Sequence, residues 1–101
     1  MVVGGPAEAE EAARYWRFIA SPWDLLNEPD PREILRKAEE MPLEDVYGRW
    51  TVGDDPAVHA RAIERYFAAG VTDVYVHSGQ MDQPRVIEFF GQRVLPLLRQ
   101  R

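Results

Sequence analysis

Along the second half of the chain the apolar positions change period twice, which predicts helix, strand and helix in turn. Val58, Ala62, Ile63, Tyr66 and Phe67 recur at helical spacing. Asp54-Asp55-Pro56 opens this helix with one Asp as its cap, and Gly70 falls where a left-handed C-cap belongs. From Val71 to His77 the period drops to two, with Val74 and Val76 on one side and Tyr75 on the other. Apolar residues on both faces suit a parallel strand covered on each side. A loop from 77 to 83 leads into a last amphipathic helix starting at Pro84. Val86, Ile87, Phe89, Phe90, Val94, Leu97 and Leu98 form its apolar face, and Pro96 is expected to end or kink it.

The first half repeats the theme less regularly. Met1 to Val3 read as the tail of a strand, and Gly4-Gly5-Pro6 leads into a helix over residues 6–20. Glu8, Glu10 and Glu11 lie near its positive end, and Ala12, Tyr15, Trp16 and Ile19 form its apolar stripe. Residues 21–30 are an irregular link containing Pro22 and Pro29. Asp30-Pro31-Arg32-Glu33 then has the form of a capping box. Ile34, Leu35 and Ala38 mark a second helix ended by Pro42, a helical turn spans 43–47, and Arg49 to Val52 read as a short strand. Strands joined by helices imply a parallel sheet with right-handed crossovers. The expected class is α/β, with two to three parallel strands and four to five helices. So few strands leave faces and edges uncovered, so the chain is expected to be incomplete as a domain.

Composition narrows the function. A chain of 101 residues allows one small domain at most. The formal charge of −5 and the lack of a Lys/Arg stripe argue against a nucleic-acid surface. There is no signal-peptide pattern and no apolar run long enough to span a bilayer, so no membrane partner and a cytoplasmic location are expected. The absence of cysteine removes disulfides and thiol catalysis and suits a reducing compartment. No HxxxH or HExxH spacing occurs, so no metal site is expected.

Several stretches occur in a distinctive order: GRWTVGDDPAVHARAIERYFAAGVTDVYVH, then DQ, then FFGQRVLPLLR. Together they resemble the C-terminal third of luciferase-like flavin or deazaflavin oxidoreductases. Within these the chain is most similar to the branch containing the glucose-6-phosphate dehydrogenase that uses the deazaflavin coenzyme F-420. The resemblance is good over residues 30–101 and loose over 1–29. It implies that residues 1–101 are the C-terminal portion of a (β/α)8 barrel. Residues 1–20 would be a strand tail and helix, 21–48 a helical insert (its 21–42 stretch over the barrel mouth), and 49–101 the last two βα units. Residues 49–53 and 71–77 would be the seventh and eighth strands. In such barrels the active site is built from loops at the C-terminal ends of the strands.

The resemblance further implies coenzyme F-420 as cofactor, with a flavin as the alternative, and hydride transfer to or from a small substrate such as a sugar phosphate. It places the catalytic residues elsewhere in the barrel, so none is expected here and the chain alone should be inactive. Its partners would be a substrate in the complete enzyme and either further copies of itself or the missing barrel half. The alternative is a non-catalytic interaction module that dimerises or completes a separately encoded half.

Arg49 matches an Arg that helps bind substrate phosphate in the sugar-phosphate members, a task suited to the forked guanidinium. A lysine of the same site should fall near Trp23 to Leu25, and this chain has none there, which puts glucose 6-phosphate itself in doubt. Trp23 in the insert and His77 at the end of the last strand complete the substrate-binding candidates. His77 could instead be a structural histidine bonded to loop backbone. His59 is expected on the surface, Trp16 in the core, Asp82 as a helix cap, and Gly79 in a turn with positive φ. Tyr66, Phe67, Phe89 and Phe90 are expected to leave apolar helix faces exposed.

Overall fold

Val2 and Val3 point to opposite faces of one strand, and both are buried, which organises everything around them. The structure is a computed structural model that describes residues 1–20 and 27–99. β1 (Val2–Val3) pairs in parallel with β2 (Val52–Gly53), Val2 lying opposite Val52. On one face Val2 packs with Ala9 and Ala12 of α1 (Pro6–Trp16), flanked by Tyr47, Trp50 and Val52. On the other, Val3 joins Ala60 and Ile63 of α4 (Pro56–Ala68) and Val86, Phe89, Phe90 and Val94 of the last helical stretch. Helices on both faces of a parallel sheet are the α/β layering expected from the residue pattern.

The caps follow the sequence closely. The Glu8 carboxylate reaches back to accept from the Gly5 N–H at 2.9 Å, tying down the start of α1. A 3₁₀ turn over Arg17–Ala20 prolongs that helix, so the predicted span 6–20 holds in two pieces. Asp30 accepts from the Arg32 N–H at 3.0 Å to open α2 (Pro31–Ala38). Only half of the expected capping box forms there, because Glu33 pairs instead with Arg36 at 3.1 Å. α3 (Leu43–Tyr47) follows. Asp55 caps α4 through the Ala57 N–H at 2.9 Å, and Gly70 has the positive φ (100°) of a left-handed C-cap.

Two expectations change in the last third. Residues 71–77 join no strand ladder: Val71 and Val76 are solvent-exposed and Tyr75 is 94% exposed. Residues 77–80 instead satisfy the outer edge of β1 through the Gln80 side chain, and no ladder forms on the outer edge of β2. The last helix is one continuous run in three segments: α5 (Gln83–Phe89), a π turn over Phe90–Val94, and α6 (Leu95–Arg99). The Leu95 N–H donates back to Phe90, one residue further than in an α-helix. This shift puts Pro96 in the first turn of α6, where its missing N–H is tolerated, so Pro96 neither ends nor breaks the helix.

The radius of gyration, 15.5 Å, exceeds the ~13 Å typical of a 100-residue domain. The layers are therefore spread out rather than closed on themselves. Among the described residues no helix is long and apolar enough to cross a membrane.

Candidate functional site

Residues 1 and 49–51 precede β1 and β2, and together with 71–77 they wall a cleft of about 470 Å³. Arg49 and Trp50 form one side, Arg65 and Tyr66 from the end of α4 another, and Val74, Tyr75 and His77 the third. The structure thus brings two of the three sequence candidates, Arg49 and His77, to one cleft. Trp23 lies outside the described residues. Arg49 is exposed and has no ion-pair or hydrogen-bond partner among the described residues. The Arg65 guanidinium is likewise without such a partner among the described residues. Two unpaired guanidiniums at the rim of one cleft can receive an anion, and Asp73 on the opposite lining limits how large a negative charge is welcome.

His77 is held by its backbone rather than its ring. Its carbonyl accepts from the Met1 nitrogen at 2.7 Å, and its imidazole stands edge-on to the Trp16 indole with centroids 5.1 Å apart. The ring nitrogens make no hydrogen bond to the loop backbone, so the alternative of a backbone-bonded imidazole is not what the structure shows. A narrower slot of about 230 Å³ runs between Trp16, Trp50, His77 and Gly79. Trp16, expected in the core, is instead half-buried and forms a wall of this slot. Gly79 does not have positive φ, which only Gly4 and Gly70 adopt among the described residues. Its role is close approach: a Cβ at this position would overlap the Trp16 indole.

Next to the cleft sits a knot of buried polar groups that no sequence motif announced. Gln80 is 5% exposed and its carboxamide spans β1: Oε1 accepts from the Val3 N–H at 2.6 Å and Nε2 donates to the Val3 carbonyl at 2.9 Å. Ser78 Oγ donates to the same Oε1 at 3.1 Å. The Gln83 side chain donates to the Ser78 carbonyl at 2.9 Å and to the Gln80 carbonyl at 2.5 Å. Asp82 caps α5 through the Arg85 N–H at 3.1 Å, as expected of it. Arg85 also pairs with Glu8 at 3.5 Å. Glu8 is held below the usual carboxylate range, first by the Gly5 backbone hydrogen bond and then, more weakly, by Arg85.

His59 corrects the sequence reading most sharply. It is fully buried, its Nε2 lies 2.7 Å from the Gly53 carbonyl, and its ring stands edge-on to both Phe89 and Phe90 at 5.3 Å. The Gly53 oxygen only accepts, so Nε2 carries the proton, and Nδ1 has no partner. Its signal was present: His59, Ile63 and Phe67 are spaced by four, so counting His as apolar turns the buried face of α4 toward it. Phe89 and Phe90 are buried by the same packing, contrary to the expectation of exposed faces, while Phe67 is half-buried and Tyr66 is exposed as expected.

The cleft lies at the ends where β1 and β2 begin. That differs from the expected barrel mouth, which lies where strands end. Most of its lining, including Arg49, Tyr66, Val71, Tyr75, Val76 and His77, faces solvent. Hydride transfer needs an environment that excludes water. The described residues therefore do not make a deazaflavin site by themselves, and no step of hydride transfer is assigned to them. Among the described residues no three His, Asp or Glu side chains gather as a metal centre would require.

Over 97% of its length the chain is 42% identical to F-420-dependent hydroxymycolic acid dehydrogenase of Mycobacterium tuberculosis, of which it covers 26%. It is 39% identical over 93% of its length to F-420-dependent glucose-6-phosphate dehydrogenase of Kineococcus radiotolerans, covering 28% of that protein. With the corresponding enzyme of Nakamurella multipartita it shares 35% identity over 90% of its length, covering 27%. No family model matches the chain. Ordered identity over nearly the whole chain is the mark of common descent, and the chain matches a C-terminal stretch of F-420-dependent oxidoreductases. It spans 26–28% of the length of these curated relatives.

Proposed function

We propose that the chain is the C-terminal portion of an F-420-dependent oxidoreductase of (β/α)8 type, supplying its last two βα units and one wall of its ligand-binding region. The observation that carries this reading is identity of 35–42% over 90–97% of the chain with enzymes named for F-420. In the complete protein the deazaflavin would accept or donate a hydride, and the protein would bind and orient both reactants. The segment contributes cleft residues and packing, while the hydride-transfer groups lie in the rest of the barrel. A soluble, cytoplasmic enzyme acting on a small molecule is the reading this supports.

Arg49 is the proposed anion contact, because it reaches the cleft with no ion-pair partner among the described residues. His77 shares that cleft and is the proposed second substrate contact, with Trp23 as the third. The cleft lies at the starting ends of the strands, so mutation of Arg49 and His77 tests their part in binding. In a chimaera carrying this chain in place of the matching stretch of the Kineococcus radiotolerans enzyme, Arg49→Ala is expected to raise KM for glucose 6-phosphate about tenfold or more with kcat little changed. An unchanged KM removes Arg49 from the site.

A second reading is favoured by one observation: Tyr75 is 94%, Ile87 69% and Tyr66 56% exposed. Such a surface suits an interaction module that self-associates or completes a separately encoded barrel half. Titration of the purified chain with oxidised F-420, followed by deazaflavin fluorescence beside size-exclusion chromatography, separates the two. Saturable binding, alone or with oligomerisation, extends the enzyme reading to the chain itself; a folded oligomer that binds no F-420 supports the module.

A further inference from the structure

Backbone groups of a strand point alternately to its two edges. The N–H groups of Val2 and Gly4 bond to Thr51 and Gly53, so these residues face β2. Val3 faces the other way, and there its N–H and carbonyl meet no strand. They meet the single carboxamide of Gln80, which accepts from one and donates to the other at 2.6 and 2.9 Å. One turn of chain earlier the His77 carbonyl takes the Met1 nitrogen. Residues 77–80 thus run alongside β1 in the same direction and satisfy its outer edge without forming a ladder. Three segments lie side by side in the order β2, β1, 77–80.

That order conflicts with a barrel. In a (β/α)8 barrel successive strands add in one direction around the ring, so the segment after β2 belongs beside β2. The outer edge of β1 belongs to the strand that precedes it in the barrel. We propose that Gln80 is a latch: its carboxamide stands in for one residue of a β-strand and keeps the outer edge of β1 closed until the preceding barrel strand docks there and displaces it. The inference rests on the barrel reading above. The occupant follows from the chain spanning only 26–28% of its relatives, which leaves the preceding strands to the remainder of the barrel. The design is economical, because an exposed edge strand invites unwanted pairing. A primary amide is the one neutral side chain that offers both a donor and an acceptor in the spacing of a peptide group. Ser78 and Gln83 hold the carboxamide and its loop in place, and the two Gln80 bonds to Val3 break without leaving a charge behind.

The test compares one substitution in two settings. Gln80→Ala is made in the 101-residue chain and in the chimaera with the Kineococcus radiotolerans enzyme, and urea unfolding is measured in each. A latch predicts that the substitution lowers the folding equilibrium constant of the isolated chain about tenfold or more, the effect of losing two buried hydrogen bonds, and that of the chimaera less than about twofold. Hydrogen exchange gives a second readout: the Val3 amide is protected in both proteins, and the Gln80 side-chain amide only in the isolated chain. Equal losses in both settings mean that Gln80 is an ordinary buried contact, which overturns the latch and leaves the barrel reading standing. No loss in the isolated chain overturns it too. A chimaera that does not fold with wild-type Gln80 removes the barrel reading and the latch together.

Discussion

Replacing His59 by Ala is a sensitive probe of the packing, because the structure buries a residue that the residue pattern had left on the surface. The imidazole donates to the Gly53 carbonyl at 2.7 Å and stands edge-on to Phe89 and Phe90. Losing that hydrogen bond costs about 0.5–1.5 kcal/mol, and an aromatic pair contributes roughly 0.5–1.5 kcal/mol beyond its buried area. With the cavity left behind, a loss of about 3 kcal/mol is expected. A chain of this size has roughly 5–15 kcal/mol in total, so the variant retains a fold with little margin. Urea unfolding followed by tryptophan fluorescence measures the change, and a slope of about 1.5 kcal/mol/M translates it into a midpoint about 2 M lower. His59→Phe keeps a ring and removes one of the two donors to the Gly53 carbonyl, which retains the Gly4 N–H, so it should fall between. A His59→Ala variant within about 0.5 kcal/mol of wild type would mean a surface residue, and would refute the packing of α4 against the last helix.

Glu8→Gln should flatten the acid limb of stability. The native carboxyl is held below its ordinary value of 4.5, so its contribution is present above that pH and is lost as pH falls through the lowered value; urea midpoints from pH 7 to 3 for both proteins check this, and parallel curves would contradict it. Gly79→Ala should push Trp16 off the loop, destabilise by about 1–3 kcal/mol and red-shift tryptophan emission, whereas an unchanged spectrum would deny the close approach. Gly70→Ala should cost about 1 kcal/mol purely through its positive φ, since a Cβ there meets nothing within 4 Å; a stabilised variant would show that the left-handed cap does not form.

What the residue pattern revealed was chiefly local. Caps at Asp30, Asp55, Asp82 and Gly70 were legible because each is decided by a side chain or a φ within three residues of the helix end. The helices over 31–38, 43–47 and 56–68 followed for the same reason. Long-range placement was not legible. Residues 71–77 have the composition of a covered strand, but a strand exists only where an edge accepts it, and composition does not say whether one is free. His59 was misplaced because a polar label hid its membership of the 59, 63, 67 face. The Gln80 clamp joins residues 77 positions apart, a separation at which no local pattern speaks. At the cleft, sequence resemblance picked out Arg49 and His77, and the fold brings both to it. Arg65 escaped notice because nothing in its helix distinguishes one exposed Arg from another.

As proposed above, this chain is a working segment of an F-420-dependent barrel. The most direct test is to purify the chimaera in which it replaces the matching stretch of the Kineococcus radiotolerans enzyme, and to titrate it with oxidised F-420 by fluorescence. One cooperative unfolding transition and saturable F-420 binding close to that of the parent enzyme are expected. A chimaera whose grafted stretch is cut rapidly by protease, or which folds but binds no F-420, would contradict it.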